Sequence, residues 1–282
     1  MLSIPLEIRQ IYETGLVSGK SGRTYEVRDA IDREEGDFLF NLIRHDPTIC
    51  RTLEVGCAHG ISSLYICSAI RGRDGASHTI LDPFQHSEWD AVGITNLQKA
   101  GIDFFTLIER KSELALPLLV DRMEGAFDFV FVDGRHTFDH ALLDCFYATR
   151  LLRVGGYLAI DDVGTFQGVR RAVDFLINYP CYQLNGSVST PIRRSWRNRV
   201  VRTAMATVNR STWAGILSDR FYGRIFDDLV PRMVALKKVA EDRRNWDWHD
   251  ETLSLTDAKL GRHDCQTPSQ SSNRPTLSED LT

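Results

Sequence analysis

Short apolar runs alternate with helical periodicity through the middle of the chain, the first of them leading into a glycine loop. Short apolar runs bounded by turns are typical of strands, and apolar residues three and four apart are typical of helices. This pattern predicts strands at 52–56, 78–82, 104–108, 129–133 and 157–161. It predicts helices at 31–46, 61–70, 89–100, 112–123, 137–152 and 166–178. Because most of these strands are apolar on both faces, we expect a doubly wound α/β fold with a mostly parallel sheet.

Later segments complete the expected architecture. Strands predicted at 182–188 and 233–239 bring the sheet to seven strands, with a helical insert at 190–230 between them. The pair Gly155-Gly156 is interpreted as a helix stop and turn before the fifth strand. The arginine-rich insert is interpreted as a lid over the site or as an oligomer contact.

The chain divides into three parts by composition. Residues 1–30 form an N-terminal segment without a clear pattern, and 31–245 form the main domain. Residues 246–282 are polar and turn-rich, so we expect a disordered tail.

Composition and charge narrow the function classes. The 282 residues are 43% hydrophobic and 26% charged, which is ordinary for a globular protein. The net charge of −4 gives no reason to expect nucleic acid or an anionic membrane as partner. The six cysteines form no CxxC pair, and neither a signal peptide nor a membrane-length apolar run is evident. These features favour a cytoplasmic protein with reduced thiols.

A glycine loop follows the first of the alternating strands. Gly56 allows a sharp turn and Gly60 a close approach of the next helix, while Asp82 ends the next strand about 22 residues beyond Gly60. An acidic residue at that distance is suited to ribose hydroxyls, so the loop favours a nucleoside-bearing cofactor over a plain turn. Glu54 stands where a dinucleotide loop has glycine, and its charge would repel a pyrophosphate. A nicotinamide cofactor is therefore disfavoured, and a cationic ligand suits the loop.

Three carboxylates follow neighbouring predicted strands. Asp133 follows the fourth strand, and Asp161 and Asp162 follow the fifth. The carboxyl ends of parallel strands share one edge of the sheet, so the three should converge and repel one another. A divalent cation with oxygen ligands would relieve this repulsion. Asp133 and Asp161 are the stronger ligand candidates. Asp162 could instead accept a hydrogen bond from a group that holds a ligand in place, or it could be a helix N-cap.

His136 lies three residues beyond Asp133, at the start of a predicted helix. An isolated histidine there would be an ordinary polar residue. Beside a carboxylate cluster, an imidazole with an unperturbed pKa near 6.5 suits a general base that accepts a proton from a hydroxyl. His140, one turn further, could face the same cleft, and Arg135 is expected to be solvated.

The motifs together resemble a known enzyme class. LEVGCAHG resembles motif I of the class I S-adenosylmethionine-dependent methyltransferases. IDREEGDFL, FDFVFVDGRHTFDHALLD and LLRVGGYLAIDD resemble segments of small-molecule O-methyltransferases of the catechol and caffeoyl-CoA type. The VDGxH form also resembles bacterial methyltransferases that act on antibiotic sugars. The resemblance covers about residues 28–180 and resumes at the seventh strand.

The resemblance implies a Rossmann-like methyltransferase fold and a metal-dependent O-methyltransferase. It implies S-adenosylmethionine as cofactor, contacted by a set comprising Glu54, Gly56, Cys57, His59, Gly60, Asp82, Ser112 and Asp133. It implies a divalent cation, Mg²⁺ by preference, at Asp133, Asp161 and Asp162. Asp133 and His136 are the predicted catalytic residues. Relatives carry an amide at the position of Asp162 and a lysine at that of His136, so this chain departs from them at both.

Some assignments stay open at this point. Ser112 is either an adenine contact or a helix N-cap, and His59 is either a cofactor contact or exposed. The expected partner is a small-molecule hydroxyl acceptor, such as a natural product, phenol or sugar, and a homo-oligomer is possible. A metal-dependent hydroxylase on the same fold and a non-catalytic nucleoside-binding protein are the alternatives.

Overall fold

A computed structural model describes residues 5–28, 30–191 and 229–244 of the chain. The helices are α1 (Leu6–Thr14), α2 (Arg33–His45), α3 (Ile61–Ile70), α4 (Val92–Lys99), α5 (Ser112–Met123), α6 (Phe138–Leu151) and α7 (Gln167–Leu176). The strands are β1 (Leu16–Ser18), β2 (Thr24–Glu26), β3 (Arg51–Val55), β4 (Ser77–Leu81), β5 (Phe105–Ile108), β6 (Phe127–Val132), β7 (Leu152–Ile160), β8 (Tyr182–Pro191) and β9 (Leu229–Lys238).

The main sheet has seven strands in the order β5-β4-β3-β6-β7-β9-β8. Strands β3 to β7 are parallel, and β9 runs antiparallel to both of its neighbours. The predicted doubly wound, mostly parallel sheet is thereby confirmed. In the register, Val55 pairs with Val132 and Val132 pairs with Ile160. The residues that follow these strands therefore emerge side by side at one edge.

The central strands are buried because helices cover both faces of the sheet. Phe129 and Phe131 of β6 have no exposed surface and pack in the same core cluster as Leu64 and Ile66 of α3. Helices α2, α3 and α4 are neighbours, as are α5, α6 and α7. A strand covered on two sides needs apolar side chains on both faces, which explains the continuous apolar run of β6.

Two helix starts differ from the predicted positions for local reasons. Helix α2 begins at Arg33 because Asp32 accepts a hydrogen bond from the Glu35 amide (3.0 Å) and the Glu35 carboxylate accepts one from the Asp32 amide (2.9 Å). This reciprocal arrangement is a capping box. Helix α4 begins at Val92, not at 89, because Asp90 and Ala91 have φ of 47° and 51°, which a right-handed helix does not accommodate.

The glycine pair before the fifth predicted strand is not a turn outside it. Strand β7 begins at Leu152, directly after α6, and runs through Gly155 and Gly156. Gly155 has φ of 87°, and the pairing of β6 with β7 shifts register here. A Cβ at Gly156 would lie 2.6 Å from the carbonyl oxygen of Asp128. The glycines therefore allow an irregular strand to lie against its neighbour.

The N-terminal segment contains helix α1 and an antiparallel hairpin of β1 and β2, which the sequence pattern left unassigned. Val17 of β1 is buried in the core cluster, so the hairpin is joined to the main domain by apolar packing.

The predicted insert and tail fall mostly outside the described residues. Strand β8 extends to Pro191 and β9 begins at Leu229, so both edges of the predicted insert are strand. The predictions for the rest of the insert, and for residues 246–282, concern positions that the structure does not describe. Across the described part of the chain, none of the helices combines the length and apolarity needed to cross a membrane.

Candidate active site

A cavity of about 1140 Å³ opens at the carboxyl ends of the parallel strands. Its floor includes the residues that follow β3, β4 and β6, and its outer side includes Tyr25 of the hairpin and Trp89. Of the residues predicted to contact a cofactor or to act in catalysis, the cavity is lined by Gly56, Cys57, His59, Asp82, Ser112, Asp133 and His136.

The glycine loop requires its two glycines for conformation and for space. Gly56 has φ of 88°, and a Cβ there would lie 2.0 Å from the carbonyl oxygen of Asp133. Gly60 has φ of 76°, and a Cβ there would lie 2.8 Å from the Cα of Gly93 in α4. Both positions therefore exclude side chains, Gly56 against the end of β6 and Gly60 against α4.

Asp82 organises the loop that was predicted to hold a nucleoside. Its Oδ2 accepts hydrogen bonds from the amides of Cys57 (3.1 Å) and Ala58 (2.9 Å) and from the side chain of Gln85 (3.0 Å). Its Oδ1 accepts one from the amide of Phe84 (2.9 Å). A carboxylate oxygen accepts about two hydrogen bonds. The predicted ribose contact would therefore fall on Oδ1, which is the less occupied oxygen.

The structure does not bring Glu54 to the cavity. Its side chain has no exposed surface, and its Oε2 accepts a hydrogen bond from Ser63 of α3 and lies 3.1 Å from Nε2 of His78. Its Oε1 has no hydrogen-bond partner among the described residues. Because side chains alternate along a strand, Glu54 and Val55 point to opposite faces of the sheet, and it is Val55 that lines the cavity. The expected contact of Glu54 with a cationic ligand is thus not seen.

Asp133, His136 and Asp162 converge at the edge of the cavity. Nε2 of His136 lies 3.0 Å from Oδ2 of Asp162 and 3.4 Å from Oδ1 of Asp133. Each of the three residues offers a ligand atom within 4.8 Å of the others, the spacing of a metal-binding group. Asp161, predicted to be a stronger ligand candidate than Asp162, lies outside this group and is 8% exposed.

Asp162 adopts a left-handed backbone conformation with φ of 60°. Such a conformation is uncommon for a residue other than glycine, and it marks a locally constrained position. The N-cap of α7 is Phe166, so the structure does not support the interpretation of Asp162 as that cap.

The carboxylates set the protonation of the cluster. Hydrogen bonds to Asp133 and Asp162 raise the pKa of His136 to about 10. Burial raises the pKa of Asp133, and burial together with the charge of Asp133 raises that of Asp161. Burial acts in the same direction on Asp162, but the hydrogen bond and charge of His136 and the hydrogen bond from Thr165 together outweigh it and lower the pKa of Asp162. The pKa of His136 is therefore not near neutral, as the sequence led us to expect, while the charges of both carboxylates act on the imidazole.

Helix α7 supplies two contacts to His136 that the sequence did not indicate. The ring of Phe166 stacks on the imidazole with centroids 4.3 Å apart and an interplanar angle of 5°. A Cβ at Gly168 would lie 2.8 Å from the carbonyl oxygen of His136, so the start of α7 packs closely there. The stacking by Phe166 restricts the orientation of the imidazole, and the close packing at Gly168 restricts the backbone of His136.

The other predicted residues take mixed places. Ser112 is the first residue of α5, whose N-cap is Lys111, so Ser112 is not the cap and instead lines the cavity. His59 is 5% exposed and lies edge-on to Trp89, with ring centroids 5.1 Å apart. The thiol of Cys57 is buried and lies 3.5 Å from Oγ of Ser63. Burial raises the pKa of this thiol, which favours its neutral form.

Two further residues line the cavity: His140, for which this position was left open, and Arg135, which was expected to be solvated. Nδ1 of His140 lies 2.9 Å from Oγ1 of Thr137. The aromatic residues Phe84 and Trp89 also line the cavity from the turn-rich segment after β4. In the sequence, the only indication that this segment lines the cavity is that its aromatic residues follow neither helical nor strand spacing.

Comparisons with known proteins agree with this geometry. A family model described as a methyltransferase domain matches residues 53–163. An O-methyltransferase from Bacillus cereus in complex with SAH has a TM-score of 0.53 and 16% identity, covering 75% of this chain and 84% of that chain. The SAH-bound methyltransferase PaMTH1 from Podospora anserina has a TM-score of 0.53 and 18% identity, covering 83% and 88% respectively. No curated protein matched the chain by sequence.

The matched range begins inside β3, spans the glycine loop and ends directly after Asp162, so it contains the candidate site. Residues 53–163 are therefore similar to a methyltransferase domain, and the chain has the Rossmann-like fold of the methyltransferases that it matches in structure.

Proposed function

We propose that the protein transfers a methyl group from S-adenosylmethionine to a hydroxyl oxygen of a small molecule, with the help of a divalent cation. The observation that carries the proposal is the convergence of Asp133, His136 and Asp162 beside the glycine loop, at the edge of one cavity. A cofactor on the loop and an acceptor at the cluster would then be neighbours, and holding two reactants in line accounts for much of such a rate enhancement.

The cofactor side of the cavity is assigned to the loop between Gly56 and Gly60 and to Asp82. S-adenosylmethionine supplies an electrophilic methyl group on its sulfonium when bound. The loop, whose glycines pack against the end of β6 and against α4, offers backbone groups to the cofactor, and Oδ1 of Asp82 offers an acceptor for a ribose hydroxyl. Ser112 lies in the part of the lining assigned to adenine.

The cation would be held by Asp133 and Asp162, with Asp161 as a buried carboxyl next to them, which leaves the imidazole of His136 free to accept a proton. The carboxylate oxygens of this group, whose ligand atoms lie within 4.8 Å of one another, fit Mg²⁺ or Mn²⁺, which prefer oxygen ligands and keep open positions for water. A divalent cation there supplies positive charge that lowers the pKa of an acceptor hydroxyl and of the neighbouring imidazole.

His136 is proposed to receive the proton of the acceptor hydroxyl. An imidazole accepts a proton only in its neutral form, so this role requires the combined charge of Asp133 and Asp162 to be offset. The stacked ring of Phe166 keeps the imidazole in one orientation beside the cavity.

The acceptor is proposed to be a natural product, a phenol or a sugar. Sites for one small ligand usually measure about 300–1,000 Å³, and this cavity of about 1140 Å³ is larger. Its size supports a site that takes cofactor and acceptor side by side. Nucleic acid is not proposed as the acceptor, since the chain carries a net charge of −4.

The first test measures ligand binding by calorimetry. We expect S-adenosylhomocysteine to bind the wild-type protein and NAD not to bind. Failure of S-adenosylhomocysteine to bind would refute the proposal at its base.

The second test measures methyl incorporation from labelled S-adenosylmethionine into a panel of catechols, phenols and sugars, with and without Mg²⁺. We expect Asp133→Ala and His136→Gln to lose at least about a hundredfold in rate, the usual contribution of a general base. His86→Gln is the matched control, because His86 pairs with Glu109 outside the cavity lining (2.7 Å). Full activity in His136→Gln would exclude the base, and oxygen incorporation in place of methyl incorporation would favour the hydroxylase.

A further inference from the structure

The hairpin β1–β2 is fastened to a segment far along the chain. The amide of Lys20 donates to the carbonyl of Asp90 (2.8 Å), and the amide of Ser21 donates to both Asp90 carboxylate oxygens (3.2 and 3.3 Å). The Ser21 hydroxyl and the Tyr25 hydroxyl (3.1 Å) donate to Oδ2. Within the described residues, each hydrogen bond from the turn Gly19–Gly22 to a distant segment ends on Asp90.

The backbone at this attachment is constrained. Asp90 and Ala91 both have positive φ, of 47° and 51°, although neither is glycine. A residue other than glycine is strained in this region and persists there where surrounding contacts fix it. On the facing side, a Cβ at Gly19 would lie 2.2 Å from Oδ2 of Asp90, so only glycine leaves room for the carboxylate. Both sides of the contact are thus fitted to each other.

The hairpin and the segment before Asp90 form the same side of the cavity. Tyr25 and Glu26 of β2 line it, and so do Glu88 and Trp89 immediately before Asp90. At the opposite end of the hairpin, Val17 is 4% exposed in the core. Apolar burial therefore fixes the base of the hairpin, while Asp90 fixes its turn.

We propose that Asp90 is a positioning residue of the ligand site, holding the hairpin β1–β2 in place as the outer wall of the cavity. The inference depends on the proposed function only for the identity of the ligand. A ligand enclosed by this wall is retained longer when the wall is ordered, because ordering it on binding would cost conformational entropy. Loss of the Asp90 carboxylate should then weaken ligand retention without altering the groups that act in methyl transfer.

The test combines calorimetry with hydrogen exchange in the full-length protein. In Asp90→Ala, we expect faster amide exchange in residues 16–26 and binding of S-adenosylhomocysteine about tenfold weaker, as for the loss of one hydrogen bond to a charged group. Asp90→Asn should recover part of both losses, because asparagine tolerates the left-handed conformation and keeps one acceptor oxygen.

Ala91→Gly is the matched control, since it relieves the neighbouring backbone strain and keeps the carboxylate. It should bind as the wild type does. Should Asp90→Ala fail to fold, Ser21→Ala and Tyr25→Phe remove the partners singly, and each should loosen the hairpin selectively.

The outcomes separate the two proposals. Wild-type affinity and wild-type exchange of residues 16–26 in Asp90→Ala would overturn the positioning role. A uniform rise in exchange throughout the protein, with a lowered Tm, would likewise overturn it by showing a general structural role. Failure of the wild type to bind S-adenosylhomocysteine would refute the proposed cofactor, and the exchange of the hairpin would still decide whether Asp90 holds it.

Discussion

Nε2 of His136 lies 3.0 Å from Oδ2 of Asp162, and this contact joins the segment after β6 to the segment after β7. The pair crosses the edge where the two strands end. It makes the state of the imidazole depend on a residue that lies in a left-handed backbone conformation.

Replacement of Asp162 by asparagine should lower the pKa of His136. Asp133 and Asp162 raise that pKa to about 10, so removing one charge should shift it toward the ordinary value near 6.5. Titration of the imidazole by NMR in cation-free protein measures the shift. Asp139→Asn is the control, because Asp139 lies 3.4 Å from His140 in the same helix start. An unchanged His136 pKa in Asp162→Asn would show that the contact is absent in solution.

Replacement of Asp82 by asparagine should destabilise the glycine loop. An amide nitrogen in place of Oδ2 cannot accept from Cys57, Ala58 and Gln85, and a buried donor left without a partner costs about 1–3 kcal/mol. We expect a loss of about 2–5 kcal/mol in the free energy of unfolding in urea, and weaker binding of S-adenosylhomocysteine. Asp121→Asn, at an exposed position of α5, should change neither quantity. Equal stability of the two variants would contradict the organising role of Asp82.

Replacement of Gly56 by alanine should be far more damaging than the same change at Gly72. Both glycines have positive φ, of 88° and 78°, so both variants pay about 1–2 kcal/mol for the backbone. Only Gly56 faces a carbonyl oxygen, 2.0 Å from the new Cβ, whereas nothing lies within 4 Å at Gly72. The difference between the two free energies of unfolding isolates the contact of β3 with β6. A difference near zero would mean that the loop moves aside freely.

Replacement of Asp144 by asparagine should change the pH dependence of stability. Asp144 of α6 has no exposed surface. Burial raises its pKa from 3.8 to about 6, although Ser112 and His140 act in the opposite direction. The folded state therefore favours the protonated carboxyl, and stability present below about pH 4 is lost as the pH rises through about 6.

The measurement compares Asp144→Asn with wild type by urea unfolding at pH 4 and pH 8. Since asparagine does not titrate, stability relative to wild type should rise between the two pH values, by an amount on the order of 3 kcal/mol at most. The change with pH is the decisive quantity, because a constant packing difference cancels from it. The same relative stability at both pH values would show that folding does not raise the pKa of Asp144.

The sequence predicted the sheet and its functional edge because both follow from local patterns. Apolar runs such as β6 specify buried parallel strands, and strands that end in register bring Gly56, Asp133 and Asp161 to one edge without further information. The lining role of Asp82 followed from the same reasoning, whereas that of Ser112 was implied only by the resemblance.

Other features depended on positions that periodicity does not encode. Alternation along β3 specifies that Glu54 and Val55 point to opposite faces, but not which face opens to the cavity. The conformation of Asp162 decides its contact with His136, and it has no signal in the sequence. The attachment of Ser21 to Asp90 joins residues 69 positions apart, which no local pattern reveals.

The antiparallel strand β9 has a consequence for how such a protein can vary. Pro191 at the end of β8 pairs with Leu229 at the start of β9, and the amide of Val163 donates to Arg232 (2.8 Å), so both strand ends lie at the edge that carries Asp162. Doubling the length of a connection costs only about 0.6 kcal/mol in closure entropy. The strand ladder can therefore keep its register while the length of the connection between Pro191 and Leu229 changes, so this junction tolerates insertions and deletions at the edge that carries Asp162.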